Sequence, residues 1–204
     1  MAFTFFFRDL HTLEHLVNAL VPTVAGRSVI RIWDAGCAMG PEVYTLAMLL
    51  AEKMGYFSFK NLRIEASDLD EQDQFGPIVC SGAYPDAELQ RIPPDFFSKY
   101  FVSCDDRPGF SRLIDHVRTR VFFRKHNLLS LEPIGDSFSM ILCKNVLLHF
   151  TPAERIEVIQ VFHKSLAPQG FFAMEQTQPL PDELAGYFRR VVPDAQLYQK
   201  IELP

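Results

Sequence analysis

The chain has 204 residues, 48% of them hydrophobic and 22% charged, which is typical of one globular domain with a sizeable core. Its net charge of −5 gives no reason to expect nucleic-acid binding, and no apolar run reaches transmembrane length. The N-terminus lacks the basic region of a signal peptide, and the four cysteines include no C-x-x-C pair. We therefore expect a cytoplasmic protein with free thiols.

The first half of the chain is predicted to alternate between helices and strands. Apolar residues at helical spacing predict a helix over Leu10–Leu20, which Pro22 should end. The next predicted elements are a strand Val29–Trp33, a helix Pro41–Lys53, a strand Leu62–Ser67, a helix Glu71–Val79, an irregular segment Ser81–Leu89 and a helix Pro93–Phe101.

The second half continues this alternation. Its predicted elements are a strand pair Phe110–Val117 and Arg120–Arg124, a strand Phe138–Cys143, a helix Pro152–Leu166, a strand Gly170–Met174, a helix Asp182–Arg189 and a last strand Leu197–Leu203. Together the elements predict a single α/β domain over residues 1–204, with a doubly wound, Rossmann-like and mostly parallel sheet covered on both faces. A small β-hairpin subdomain is expected to be inserted over about residues 104–126.

Candidate ligand-binding residues follow three of the predicted strands, where ligands of such sheets bind. A loop with Gly36 and Gly40 follows the first strand, Asp68 follows the second, and Asn145 follows the strand Phe138–Cys143. An acidic residue at the end of the second strand suits a ribose diol, because a carboxylate accepts two hydroxyl hydrogen bonds. The loop matches neither G-x-G-x-x-G nor a P-loop, which favours an adenosyl ligand without phosphates, such as S-adenosylmethionine, over NAD or ATP. A tight strand-to-helix turn without a ligand remains the alternative.

The sequence resembles the CheR-type chemotaxis receptor methyltransferases, which methylate glutamate side chains. The resemblance runs from Thr4 to about Pro179. The matching motifs are Thr4–Arg8 (T-x-F-F-R), Ala35–Thr45 (A-G-C-S-T-G-E-E-P-Y-S), Ala66–Asp70 (A-[ST]-D-[IL]-D), Ser81–Tyr84 (S-G-x-Y), Tyr100–Phe101 (Y-F), Asn127–Leu129 (N-L-L), Leu142–Phe150 (F-C-R-N-V-x-I-Y-F) and Leu166–Gly170 (L-x-P-x-G). They follow the order of the family at sensible spacings.

The resemblance implies a set of residues that contact S-adenosylmethionine. These are Thr4, Arg8, Glu42, Asp68, Asn127, Leu128, Lys144 and Asn145. By the same resemblance Asp68 would bind the ribose, Asn127 and Leu128 would frame the adenine, and Arg8 would lie near the methyl group. Gly36 and Gly40 complete the predicted cofactor site, and S-adenosylhomocysteine would be the product.

The sequence departs from the family at three positions of the site. Lys144 replaces an arginine and loses its planar fork, His149 replaces a tyrosine near the methyl group, and Pro41 replaces a glutamate. By the same resemblance, the match begins where the N-terminal helical domain of the family ends, so we do not expect the basic helix that grips the receptor within these residues.

Methyl transfer to a glutamate needs no general base, because a carboxylate with a pKa of about 4.3 is already ionised at neutral pH. Alignment and a dry pocket are what the protein must supply. Arg8, whose guanidinium matches a carboxylate, and His149, as a polar wall, are the predicted catalytic residues. Alternatives are a surface charge for Arg8 and an ordinary loop residue for His149. Two alternative functions remain for the whole chain. It could be a non-catalytic module that binds S-adenosylmethionine or S-adenosylhomocysteine in a signalling complex, or a methyltransferase for a small carboxylate.

Two further features bear on partners and metals. The segment Arg107–Lys125 is rich in arginine and lysine and could meet an acidic partner, such as a chemoreceptor helix, or form a solvated face. His11 and His15 stand in an H-x-x-E-H pattern typical of inverted zinc proteases, but an amphipathic helix explains it and no third ligand follows. We therefore predict no metal site. No nucleic acid or inserted membrane is expected among the partners, and the oligomeric state is not predicted.

Overall fold

The computed structural model describes residues 4–202 and has an α/β fold with two sheets. Its seven helices are α1 (Leu10–Val24), α2 (Pro41–Met54), α3 (Tyr56–Phe59), α4 (Phe75–Ser81), α5 (Pro94–Tyr100), α6 (Asp115–Arg118) and α7 (Pro152–Ser165). Its ten strands are β1 (Ile30–Ala35), β2 (Leu62–Asp68), β3 (Ala83–Pro85), β4 (Phe101–Ser103), β5 (Phe110–Leu113), β6 (Val121–Lys125), β7 (Phe138–Cys143), β8 (Leu166–Met174), β9 (Phe188–Arg190) and β10 (Leu197–Lys200). No helix of this part of the chain is both long and apolar enough to cross a membrane.

The main sheet has seven strands in the order β6-β2-β1-β7-β8-β10-β9. The first five run parallel, whereas β10 is antiparallel to both β8 and β9. In register, Ile32 of β1 lies beside Ile64 of β2 and Met140 of β7. The chain moves outward from β1 to β2 and β6 and then returns to β7 on the other side. The carboxyl ends of β1 and β7 therefore meet at a topological switch point, where such sheets bind ligands.

Alternation along the strands divides the core between the two faces of the sheet. Ile32 packs with Leu16 of α1 and Leu46 of α2 on one face, whereas Trp33 packs with Phe162 of α7 on the other. Both faces are thus covered, which confirms the predicted Rossmann-like architecture. Pro41 begins α2, and a capping box of Thr151 and Glu154 begins α7, so that local sequence fixes the start of both helices.

The small sheet consists of β3, β5 and β4 and lies between β2 and β6 in the chain. Its register pairs Tyr84 with Ser111 and Val102 with Arg112. The predicted pairing of Phe110–Val117 with Arg120–Arg124 is wrong, because Val121–Lys125 joins the main sheet as the parallel neighbour of β2. The antiparallel strands accordingly lie in residues 83–113 rather than in 104–126.

Among the other predicted elements, the irregular segment Ser81–Leu89 contains β3, and the strand that ends at Met174 begins at Leu166 rather than Gly170. Two further elements differ more. Helix α1 continues through Pro22 to Val24, whose buried side chain joins the core. The hydroxyl of Thr23 donates to the carbonyl of Leu20 at 2.7 Å, which satisfies one of the carbonyl groups in the last turn of the helix. The predicted helix Asp182–Arg189 is wrong: a 3-10 turn, Asp182–Leu184, precedes β9, which pairs with β10. The end of the predicted strand Leu197–Leu203 lies outside the described residues.

Candidate active site

A cavity of about 600 Å³ opens at the carboxyl ends of β1, β2 and β7. This volume lies within the range of small-molecule sites. The lining includes nearly all of the residues predicted as cofactor-binding or catalytic, which are Thr4, Arg8, Gly36, Glu42, Asp68, Asn127, Leu128, Lys144, Asn145 and His149. Residues that are distant in the sequence are therefore brought together at the switch point.

The loop after β1 forms the floor of the cavity. Gly36 has a φ of +98°, and a Cβ there would lie 2.1 Å from Val146 Cγ2, which also lines the cavity. Only glycine fits this close approach. Ala38 follows with a φ of 48° and donates its backbone N–H to Asp68 Oδ2 at 2.8 Å. The carboxylate of Asp68 thus holds the loop and faces the cavity.

Gly40 is the predicted cofactor residue that does not line the cavity. It precedes α2 with a φ of +99°, and a Cβ there would lie 2.7 Å from the hydroxyl oxygen of Tyr84. Gly40 therefore allows the start of α2 to approach Tyr84 of the small sheet closely.

The two acidic residues that follow β2 have different environments. Asp70 is buried, and its carboxylate accepts the backbone N–H groups of Gln74, Phe75 and Gly76 at 2.8, 3.0 and 3.0 Å. It therefore caps the first turn of α4. Asp68 is partly exposed to the cavity and retains acceptor capacity for a ligand.

Lys144, which replaces the arginine of the family motif, is held by carboxylates. Its side chain is completely buried, and Nζ lies 2.9 Å from Glu42 Oε2 and 3.2 Å from Asp9 Oδ2. Burial opposes the charge of the amino group, but the carboxylates of Glu42 and Asp9 outweigh it and raise the pKa of Lys144. The ion pairs fix Glu42 at the cavity wall and tie the N-terminal segment to the end of β7.

Arg8 adjoins this junction, with its Nε 3.9 Å from Asp9 Oδ2. Its Nη2 donates to Asn145 Oδ1 at 3.0 Å, and the backbone N–H of Phe7 donates to Thr45 Oγ1 at 3.0 Å. Phe7, Asp9 and Asn145 have positive φ angles of 61°, 50° and 58°, which are uncommon for residues other than glycine. Such conformations often cluster at functional sites, where the surrounding structure enforces them.

His149, Asn127 and Leu128 complete the predicted set on the remaining walls. His149 is exposed and ends a short 3-10 turn, Leu147–His149, that follows β7. Asn127 uses its side-chain oxygen to accept the backbone N–H of Leu129 at 3.0 Å, which caps the 3-10 turn that starts at Leu128. This cap fixes the backbone that lines the cavity after β6.

A buried carboxylate beneath the floor of the cavity was not predicted as a site residue. Asp34 in β1 is fully buried, and within residues 4–202 neither of its oxygens has a hydrogen-bond partner. Burial, and then the charge of Glu42, raise the pKa of Asp34 well above its usual range. Its position in the sequence, directly before the glycine loop, is the signal that could have identified Asp34 as a site residue.

Apolar residues at the cavity mouth were also missed. Leu69, Leu129 and Leu148 line the cavity although 45%, 41% and 37% of their surface is exposed. Each lies within one of the motifs that match the family, but none of the three was predicted to contact the ligand. Their exposure at three strand ends provides an apolar rim that suits a flat ring.

The four cysteines are free thiols, as predicted. Cys37 lines the cavity, and burial, followed by the nearby charge of Asp34, raises the pKa of its thiol well above the usual value. Burial and the charge of Glu175 do the same for Cys143. Both thiols are therefore protonated at neutral pH and are poor nucleophiles.

The lining as a whole suits one kind of ligand. Glu42 and Asp68 offer carboxylates to a cationic or hydroxyl-bearing group, and the rim offers apolar surface. The glycine loop contains no lysine and follows no phosphate-binding pattern. These features fit S-adenosylmethionine, which carries a positive charge, a ribose and an adenine but no phosphate.

Comparisons with known proteins agree with this assignment. Residues 2–194 match the model of a family described as CheR methyltransferase, SAM binding domain. Chemotaxis protein methyltransferase 1 of Pseudomonas aeruginosa is 30% identical over 189 residues, which are 88% of this chain and 68% of that protein. Chemotaxis protein methyltransferase 2 of the same organism is 29% identical over 173 residues, which are 83% and 60% of the two chains.

Among solved structures, magnesium protoporphyrin IX methyltransferase from Synechocystis PCC 6803 is similar with a TM-score of 0.49 and 14% identity, over 93% of this chain and 76% of that chain. The chain spans less than two thirds of the length of several curated relatives that it matches. The family model nevertheless covers nearly the whole chain, so the chain belongs to the CheR methyltransferases and contains their S-adenosylmethionine-binding domain.

Proposed function

We propose that the chain transfers the methyl group of S-adenosylmethionine to glutamate side chains of a chemotaxis or signalling protein. Family membership and the names of the relatives support methyl transfer. The observation that carries the choice of acceptor is the guanidinium of Arg8, which is held at the cavity wall by Asn145 at 3.0 Å. A fixed guanidinium beside the cofactor site is suited to orient a carboxylate.

The lining residues are assigned to the parts of the cofactor as follows. Asp68 would bind the ribose hydroxyls, and Asn127 and Leu128, together with the apolar rim, would hold the adenine. Glu42, fixed by Lys144, would face the amino group of the methionine end, next to Gly36, Thr4 and Asn145. When bound, S-adenosylmethionine supplies a sulfonium-linked methyl group that is open to attack by a nucleophile.

The residues of the chain would act by orientation and by exclusion of competing nucleophiles. The acceptor carboxylate is ionised at neutral pH, so its attack needs no base. Arg8 donates from Nη2 to Asn145 at 3.0 Å and its Nε lies 3.9 Å from Asp9 Oδ2, so its guanidinium is oriented at the cavity wall, where the acceptor carboxylate would meet it. His149 would form a polar wall at the exposed side of the cavity. The protonated thiol of Cys37 lowers the risk of self-methylation within the site.

The test is transfer of radiolabelled methyl groups to acidic chemoreceptor fragments, followed by alkaline release of methanol, which identifies a carboxyl methyl ester. Wild type should label the fragments, and Arg8→Ala should reduce kcat/KM at least about 100-fold, because it removes the group that orients the acceptor. Arg189→Ala, which removes an exposed arginine of β9, is the matched control and should label normally. Equal labelling by Arg8→Ala would contradict the role assigned to Arg8.

A second candidate function is a non-catalytic module that binds S-adenosylmethionine or S-adenosylhomocysteine. Lys144 favours it, because its Nζ is already paired with Glu42 and Asp9 and does not reproduce the free fork of an arginine. Calorimetric binding of both ligands without any labelling of protein or free acids would support the module. Labelling of a free acid but of no protein would instead support a methyltransferase for small carboxylates.

The predicted acidic partner receives limited support from the basic segment. Arg118 is paired with Asp115 at 2.8 Å, Lys125 is paired with Asp73 at 2.6 Å, and Arg107 lies over the ring of Phe110. Much of the positive charge is thus used within the chain. We retain an acidic chemoreceptor helix as the acceptor and the cytoplasm as the location.

A further inference from the structure

Two histidines and an aspartate converge on the surface outside the cofactor cavity. His11 and His15 lie one turn apart on α1, and Asp194 lies in the loop between β9 and β10. Asp194 Oδ2 is 2.8 Å from His11 Nε2 and 3.2 Å from His15 Nε2, and the two Nε2 atoms are 3.2 Å apart. None of the three residues lines the cavity.

The spacing of these three atoms is that of a metal coordination face. Zinc binds imidazole nitrogens and carboxylate oxygens at about 2.0–2.1 Å with tetrahedral geometry, which separates neighbouring donor atoms by about 3.3 Å. Two of the three observed distances are close to this value, and the third requires only a small rotation of an exposed side chain. Two nitrogens and one carboxylate oxygen suit zinc or a similar transition metal, whereas magnesium and calcium prefer oxygen ligands.

Contacts that do not involve an ion already hold the ligands in place. Gln176 Nε2 donates to the backbone carbonyl of Asp194 at 3.0 Å and to Thr12 Oγ1 at 3.1 Å. Thr12, which follows His11 in the sequence, is buried. The β9–β10 loop is therefore tied to α1 at the residue that supplies the third ligand, which reduces the ordering cost of binding an ion.

We propose that His11, His15 and Asp194 bind one divalent transition-metal ion, with zinc as the best fit, and that water completes the coordination. The site joins α1 to the antiparallel end of the main sheet. Because His11 lies three residues after Arg8, the ion also restrains the segment that carries Arg8 and Asp9 into the methyltransferase site. The inference does not depend on the acceptor proposed above.

The geometry separates this site from a zinc protease. In the H-x-x-E-H pattern the glutamate would serve as the general base. Glu14 instead lies on another side of α1, where it lines a second pocket with Leu49 and Glu52 of α2. The third ligand, Asp194, is 179 residues from His15 in the sequence, so the H-x-x-E-H pattern alone did not reveal it.

The test is a zinc titration of the tag-free chain by calorimetry, with Cys80→Ser in every variant to remove an exposed thiol. We expect one zinc ion per chain, no binding of magnesium, and a rise in Tm of several degrees at ~100 times the Kd. His11→Ala, His15→Ala and Asp194→Asn should each weaken zinc binding at least tenfold and remove the rise in Tm.

Glu14→Ala, on the same helix, and Asp182→Asn, on the 3-10 turn before β9, are the matched controls and should bind zinc like wild type. Asp194→Asn leaves α1 unchanged, so it remains informative if a histidine variant folds poorly. The proposal is overturned if wild type binds no zinc, or if Asp194→Asn and Asp182→Asn bind it equally well. In that case the three side chains form only a hydrogen-bonded surface cluster.

Discussion

Replacement of Lys144 by methionine tests whether this buried cation is the structural link of the cofactor site. Methionine keeps most of the length of the side chain but removes its charge. In the wild type, Nζ lies 2.9 Å from Glu42 Oε2, and none of the lysine side chain and 10% of the glutamate side chain is exposed. The variant therefore leaves Glu42 buried beside Asp34 without a compensating charge.

The structure sets the size of the expected effect. Loss of one partner of a buried ion pair costs about 3–5 kcal/mol, because the remaining charge stays desolvated. The contact with Asp9 adds little, because 44% of the Asp9 side chain is exposed and the pair is screened by solvent. For a chain of this size we expect Tm to fall by roughly 6–20 °C.

Urea unfolding and calorimetric binding of S-adenosylhomocysteine measure the two consequences. Lys144→Met should lower the free energy of unfolding and weaken binding, because Glu42 loses the contact that fixes it. The double variant Glu42→Gln, Lys144→Met should regain much of the stability, since both charges are gone. Lys164→Met, at an exposed position of α7, is the control and should change stability by less than about 0.5 kcal/mol. A loss below about 1 kcal/mol for Lys144→Met would refute the structural role of Lys144.

Three further predictions concern the floor of the site and one helix. Gly36→Ala should weaken cofactor binding at least tenfold in calorimetry and cost about 1–3 kcal/mol in urea unfolding, because its Cβ meets Val146 at 2.1 Å; unchanged binding would contradict the close approach. Asp34→Asn should be more stable than wild type at neutral pH. The folded state raises the pKa of Asp34, so the wild type loses stability as the pH rises above about 4. The difference in the free energy of unfolding between Asp34→Asn and wild type, measured with urea, should therefore shrink as the pH is lowered towards about 4. A difference that does not depend on pH would count against an ionisable Asp34. Thr151→Ala should cost about 1 kcal/mol by thermal unfolding through loss of the capping box with Glu154, and no loss would indicate that α7 does not need its cap.

Local chemistry was sufficient to predict several elements from the sequence. The run Phe138–Cys143 is apolar except for Ser139 and forms a strand with those bounds, buried at every position. Pro41 marks the start of α2, which ends one residue after its predicted end. In both cases the residues of the segment itself carry the signal, because burial on two faces or a helix start needs no knowledge of the neighbours.

Elements decided by tertiary pairing were not predictable in the same way. Nothing within Arg120–Arg124 distinguishes a hairpin strand from the parallel edge strand that it forms beside β2. Helix α1 passes Pro22, and burial of Val24 in the core offsets part of the local cost of the proline. Phe188 enters a strand because β10 offers it a partner, which a local helical pattern does not reveal.

The candidate site shows the same division. Motif spacing placed Asp68, Asn127 and Asn145 around one cavity, since strand ends meet at the switch point. Motif matching could not show that Lys144 is already neutralised, because one of its two partners, Asp9, belongs to no motif and reaches it only through a left-handed backbone. The substitution from arginine to lysine therefore changes more than the shape of a donor. Lys144 still lines the cavity, but its charge is paired with Glu42 and Asp9, so in the proposed reaction we expect Arg8 rather than Lys144 to orient the acceptor.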